Sequence, residues 1–212
     1  MNEQIIVAAT RNRGKAAEIR DLLLDKPVTL LNFDDFGPTP EPFEEAESFE
    51  DNAYHKAVFY ARILGFPALA DDSGLAIAAL GGAPGVKSAR YAGDKADDAE
   101  RMAKVLEAMK GAADRRAEFI CALVLAVPAG PGLTWLGRCE GEITTEPKGR
   151  NGFGYDPIFY YPPLGKTFAQ LSREEKNRVS HRGRALADFK SEFDKVLVWL
   201  NQRQAEAGPS QV

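Results

Sequence analysis

The stretch Leu69-Ala70-Asp71-Asp72-Ser73-Gly74 constrains this chain more than any other. An apolar run enters two adjacent carboxylates, and successive residues of a strand face opposite sides of the sheet. Asp71 and Asp72 therefore cannot both be surface acids, because one of them looks toward whatever covers the second face. The hexapeptide predicts a short strand with a carboxylate pair at its end, followed by a turn, since Asp, Ser and Gly are the usual turn residues. A pair so placed holds a hard divalent cation or activates a water. It serves equally well as a polar turn capping a buried strand, and the six residues leave both readings open.

Composition narrows the partners. With 212 residues, 44% of them hydrophobic, the chain is long enough to bury a proper core. No repeat and no clean linker divides it, so a single domain over residues 1–212 is expected, with a disordered tail at 205–212. A net charge of −4 argues against nucleic-acid binding through a diffuse basic surface. A small anionic ligand held by a few placed cations remains open. Cys121 and Cys139 lie in apolar or strand-like stretches without CxxC spacing, as reduced packing residues do. No apolar run approaches the roughly 20 residues of a membrane span, and nothing resembles a signal peptide. The expected location is the cytoplasm, with no membrane partner.

Residues 5–9 form a continuous apolar run, the mark of a strand buried on both faces. The run feeds Thr10-Arg11-Asn12-Arg13-Gly14-Lys15 and then a helical pattern with Ala16, Ile19, Leu22 and Leu23 on one face. The first N–H groups of such a helix are expected to be open to an anion, with Lys15 in reach of a phosphate. The spacing is not that of a Walker loop. Residues 28–31 read as a second short strand. Residues 38–51 hold three prolines and six acids, a solvated acidic loop or the source of one more carboxylate for a cation. Ser48-Phe49-Glu50-Asp51 reads as a capping box opening a helix, with Lys56 at the edge of its apolar stripe.

Further along, Gly81-Gly82-Ala83-Pro84-Gly85 reads as a turn into Ser88-Ala89-Arg90-Tyr91, to which the sequence assigns no role. Residues 97–110 form an amphipathic helix pattern. A strand over 119–127 turns at 128–132 into a second strand over 133–139, and a separate strand-like piece covers 141–144. Gly152-Phe153-Gly154-Tyr155-Asp156-Pro157 sets two aromatics and an acid among glycines, either to stack on a base or to tuck both rings into a core. Ser172-Arg173-Glu174-Glu175 is a second capping box, opening a short helix that carries Lys176. Ser180-His181-Arg182-Gly183 then breaks it from a final helix.

Together these pieces resemble the inosine/xanthosine triphosphate pyrophosphatases, enzymes that hydrolyse non-standard purine nucleoside triphosphates. Six motifs carry the resemblance in the same order and spacing. They are the run from Thr10 to Lys15, Ser48-Phe49-Glu50-Asp51-Asn52-Ala53 with Lys56, Ala70 to Leu75, Leu80 to Gly85, Gly152 to Pro157, and Glu174-Glu175-Lys176 with Ser180-His181-Arg182. The resemblance implies an α/β fold, with a long mixed central sheet, flanking helices and two lobes around a nucleotide cleft, as a homodimer. It implies ITP, dITP or XTP as substrate and Mg²⁺ as cofactor. Asp72 would be general base and metal ligand, supported by Asp71, with Glu44 as the second metal ligand by position and Glu45 and Glu47 close behind. Thr10, Arg11, Asn12, Arg13, Gly14 and Lys15 would hold phosphate, with Lys56 and Lys176 adding charge and Ser73 touching substrate. Phe153, Gly154, Tyr155, Asp156, His181 and Arg182 would face the base and sugar. Arg11 stands where the family's commonest form has glycine, and Glu44-Glu45-Ala46 replaces the usual Glu-Thr-Gly.

A triphosphate is densely anionic, so metal and several cations are needed before an anionic nucleophile approaches. Arg182 only donates hydrogen bonds, and the 6-oxo oxygen of hypoxanthine, xanthine and guanine only accepts them, whereas adenine presents a donor there. Two rival classes use parts of the same set. A phosphatase forming an aspartyl-phosphate would release orthophosphate, and a non-catalytic nucleotide sensor would dispense with Asp72.

Overall fold

The computed structural model describes residues 4–42 and 46–207, the side chains of Leu22 and Ala207 excepted. In chain order the elements are β1 (Gln4–Ala8), α1 (Arg13–Leu23), β2 (Val28–Leu31), α2 (Phe49–Leu64), β3 (Ala68–Ile77), α3 (Asp98–Ala108), β4 (Arg116–Ala126) and β5 (Gly132–Ile143). They continue as β6 (Phe159–Tyr161), β7 (Lys166–Thr167), α4 (Arg173–Val179), α5 (His181–Ser191) and α6 (Phe193–Ala207). The strands form a mixed sheet in the order β2-β1-β3-β4-β5-β6-β7. Strand β1 runs parallel to β2 and β3, while β6 runs antiparallel to β5 and β7. This is the expected α/β architecture. The single-domain expectation meets a finer division, into two compact units: Met1–Asp72 with Ala122–Trp135 and Ala185–Val212, and Ser73–Cys121 with Leu136–Arg184. Of the tail expected to be disordered, residues 205–207 continue α6, and 208–212 lie outside the described residues.

In the first unit, Ile6, Val7, Ala8 and Ala9 are buried, as a strand covered on both faces requires. Helix α2 starts because the Ser48 side chain accepts from the Asp51 N–H at 3.0 Å, and it stops at Gly65 in the left-handed region, φ 74°. Its Ala53, Ala57, Tyr60 and Ala61 are buried at helical spacing. Distant segments of this unit are tied by side chains: Gln4 donates to Asn201 at 2.8 Å, and the Trp135 indole donates to Glu192 at 2.8 Å. Burying Phe189, Phe193 and Leu200 favours α5 and α6 by about 1.5–3 kcal/mol for each large apolar side chain.

The second unit has its own core, in which Leu75, Ile77, Val105, Met109, Phe119, Phe159 and Phe168 are buried together. Helix α3 carries a reciprocal capping box between Asp97 and Glu100. Ser88 is 5% exposed, and its hydroxyl donates to the Gly85 carbonyl at 2.6 Å while accepting from the Leu75 N–H at 2.9 Å. The segment to which the sequence assigned no role therefore pins the far half of β3.

Two strands depart from expectation. The turn expected at Asp-Ser-Gly is absent: β3 runs through Asp71, Asp72, Ser73 and Gly74 to Ile77. Leu75 and Ile77 are fully buried, and that burial overrides the local turn preference of the intervening residues. The carboxylate pair thus lies mid-strand rather than at a strand end. Likewise the pieces expected at 133–139 and 141–144 are one strand, β5, with odd positions from Trp135 to Ile143 buried and even ones exposed. Gly141, where the second piece was expected to begin, lies inside the strand, and no side chain fits there: a β-carbon would come 2.5 Å from both the Phe159 ring and the Tyr160 carbonyl.

Candidate active site

The first unit gathers cations around the Asp71 end of the acidic pair. Asp71 is 1% exposed, and a carboxylate that deep needs a partner. Lys15, in the first turn of α1, supplies it with Nζ 2.9 Å from Oδ2. Lys56, from the second turn of α2, donates to the main-chain carbonyl of the same residue at 3.2 Å. Two lysines from separate helices thus converge on one strand residue. Asp72, 9% exposed, points to the other face, and its Oδ2 accepts from the Asn52 amide at 3.3 Å.

The turn before α1 is built differently from expectation. Asn12 is the N-cap of α1, its side chain accepting from the Gly14 N–H at 2.9 Å and the Lys15 N–H at 3.1 Å. Thr10 Oγ1 in turn accepts from the Asn12 N–H at 3.2 Å. An anion reaches those two helix amides only by displacing Asn12, so the turn offers it side chains first. Arg11 has partners of its own. It donates to the Thr39 carbonyl, pairs with Glu41 at 2.6 Å and lies over the Phe33 ring at 5.4 Å. Arg11 and Arg13 line a cavity of about 470 Å³ with Arg20, Asn32 and Asp34. Glu44 and Glu45 lie outside the described residues, and Glu47 is exposed.

The second unit holds the remaining candidates around Phe153. Asp156, 2% exposed, accepts from the Phe153 N–H at 2.9 Å and from Lys176 at 2.7 Å through one oxygen, Oδ2. Gly152 has φ +77°, and a β-carbon there would overlap the same carboxylate. The loop is held from its other side by Asp98, whose Oδ2 accepts from the Gly154 N–H at 2.7 Å. Burial pushes the Asp98 pKa up, but its pairing with Arg101 and the Gly154 hydrogen bond outweigh that and leave it below 3.8.

Above this loop the Phe153 ring carries the Lys176 ammonium at 4.4 Å and the Arg182 guanidinium at 5.7 Å from its centroid. Arg182 is 2% exposed and donates to Ser73 Oγ at 3.3 Å. His181, 4% exposed, stacks on Phe119 with centroids 4.5 Å apart. Helices α4 and α5 bring these residues in because Ser180 Oγ accepts from the Gly183 N–H, and because Gly183 has no β-carbon to strike the Asn177 carbonyl. Tyr155 points elsewhere. It is buried in the core, its hydroxyl donates to the Ser88 carbonyl at 2.8 Å, and burial raises its pKa. Of the two aromatics in that motif, Tyr155 is the one tucked into the core.

Asn52, Asp98 and Ser88 are the contributors that residue-by-residue reading missed. Asn52 had a signal: it precedes Lys56 by four residues, which puts both on one face of α2. Among the described residues no group of three or more His, Cys, Asp or Glu gathers to hold a metal, and no helix is long and apolar enough to cross a membrane.

Comparison with known proteins bears on this arrangement. The sequence model of the Ham1 family matches residues 6–192. The dITP/XTP pyrophosphatase of Syntrophobacter fumaroxidans is 57% identical over 206 residues, covering 97% of this chain and 89% of that protein. That of Desulfotalea psychrophila is 52% identical, with 97% and 92% covered. Among solved structures, a HAM1 protein from Coxiella burnetii superposes with a TM-score of 0.83 at 46% identity, over 91% of this chain and 99% of that one. The Ham1 protein of Staphylococcus aureus gives 0.82 at 38% identity, with the same coverage.

Proposed function

Because this chain belongs to the Ham1 family, we propose that it hydrolyses dITP, XTP and ITP to the nucleoside monophosphate and pyrophosphate. The observation that carries the reading is the convergence of Lys15 and Lys56 on Asp71, one residue before Asp72 in the same strand. Cation density beside a carboxylate is what water attack on a polyanion requires. Lys15 and Lys56 offset triphosphate charge, and Asp71 keeps Lys15 in place. Asp72 accepts the proton of the attacking water on a carboxylate oxygen, the water oxygen bonds to the α-phosphorus, and pyrophosphate leaves.

Asp72 offers the hard oxygen that Mg²⁺ takes, and Mg²⁺ needs only one or two protein carboxylates. Asp72, held through one oxygen by Asn52, and Glu44 would be those ligands. When bound, Mg²⁺ supplies positive charge to the phosphoryl oxygens. In the second unit, Phe153 offers a ring face for a purine, and Arg182 and His181 are donors suited to an oxygen at purine position 6. Family membership also carries the expectations of a homodimer and of a cytoplasmic enzyme.

The test is incubation with ITP, dITP, XTP and the four standard triphosphates plus Mg²⁺, identifying both products by phosphorus NMR. Pyrophosphate and monophosphate from the non-standard purines are expected, and Asp72→Asn should lower turnover by about 10²–10⁴-fold. Release of orthophosphate, or full activity in Asp72→Asn, would overturn the reading.

A further inference from the structure

We infer that Asn52 is a positioning residue whose side-chain amide latches Ala46, within the acidic segment, to the Asp72 carboxylate. The inference rests on the role of Asp72 given above. Asn52 is 2% exposed and stands in the first turn of α2. Its Oδ1 accepts from the Ala46 N–H at 3.0 Å, and its Nδ2 donates to the Ala46 carbonyl and to Asp72 Oδ2, each at 3.3 Å. The orientation follows from the partners: a turned amide would set its NH₂ against the Ala46 N–H and its oxygen against two acceptors. One acceptor and two donors are required at a single buried point, which asparagine provides. Aspartate would keep the acceptor, lose both donors and set a second negative charge against Asp72.

The latch is reinforced by helical spacing. Asn52 holds the Asp72 side chain and Lys56, one turn later, holds the Asp71 main chain, so one face of α2 grips two successive residues of β3. Ala46, which directly follows Glu44-Glu45 in sequence, is thereby joined through one amide to the expected base. A carboxylate released from this hydrogen bond turns about its terminal torsion, and displacements of about 1 Å at a reacting group cost about 10²-fold in rate. Groups that orient metal-binding carboxylates are worth about 10–100-fold in activity or metal affinity.

Asn52→Asp and Asn52→Ala, made in the full chain beside Asp72→Asn, test this. Three quantities are read: kcat and KM for dITP, hydrogen exchange at the Ala46 amide, and Mg²⁺ binding by calorimetry without substrate. Asn52→Asp should keep the Ala46 amide protected yet lose about 10–100-fold in kcat, with KM changed far less. Asn52→Ala should lose the amide protection and bind Mg²⁺ about tenfold more weakly. If Asn52→Asp turns over like wild type while Asp72→Asn is inactive, Asn52 only holds the segment and the inference falls. If Asp72→Asn is itself active, the assignment of Asp72 falls, and the latch loses its catalytic meaning with it.

Discussion

Lys15 and Lys56 touch the same residue, one at its carboxylate and the other at its main-chain carbonyl. Lys15 compensates a carboxylate whose side chain is fully buried, and removing one partner of such a pair leaves the charge less compensated. Its own side chain is 17% exposed, so Lys15→Ala should cost stability near the low end of about 3–5 kcal/mol, read by urea unfolding. Adding Asp71→Ala should restore much of that stability without restoring turnover. Lys56 reaches the same residue at its main-chain carbonyl, and in Lys56→Ala the KM for dITP should rise. Unchanged stability in Lys15→Ala would show that the Lys15–Asp71 pair is not what compensates the buried charge. Arg11 belongs to this scale too: its guanidinium serves Thr39, Glu41 and Phe33, which accounts for an arginine in a turn whose commonest family form has glycine there.

The loop over residues 152–156 is shaped by two acids from different places, Asp156 within it and Asp98 at the start of α3. Asp98 titrates below its ordinary 3.8 in the folded chain, so its contribution to stability is fully present above that value and fades as pH falls through the lowered one. Asp98→Asn should therefore lower the unfolding temperature at pH 7, and the gap from wild type should shrink as pH drops below 3.8. A gap constant across that range would mean that the charge on Asp98 is not what holds Gly154. The same substitution loosens the segment bearing Phe153, so dITP affinity should weaken with it.

For the whole molecule, both thiols report folding. Cys121 and Cys139 are fully buried, and burial pushes the Cys139 thiol up to about 11. Neither should react with a thiol reagent in the native state, and both should become reactive over the denaturant range in which the fold is lost. Rapid labelling under native conditions would contradict the packing of the second unit's core around Cys139. What the sequence determined by itself were features that depend on near neighbours. The caps at Ser48 and Ser172 and the buried run entering β1 are each set within a few positions, and the order of six short motifs identified the family. Tertiary structure decided whatever joins distant residues. It carried β3 past Asp-Ser-Gly because Leu75 and Ile77 had a core to enter, and it turned Tyr155 inward to Ser88, 67 residues away. It gave Asn52 the Asp72 carboxylate, 20 residues on. A long side chain takes its partner from whatever the fold brings within about 3 Å, and no spacing along the chain encodes that.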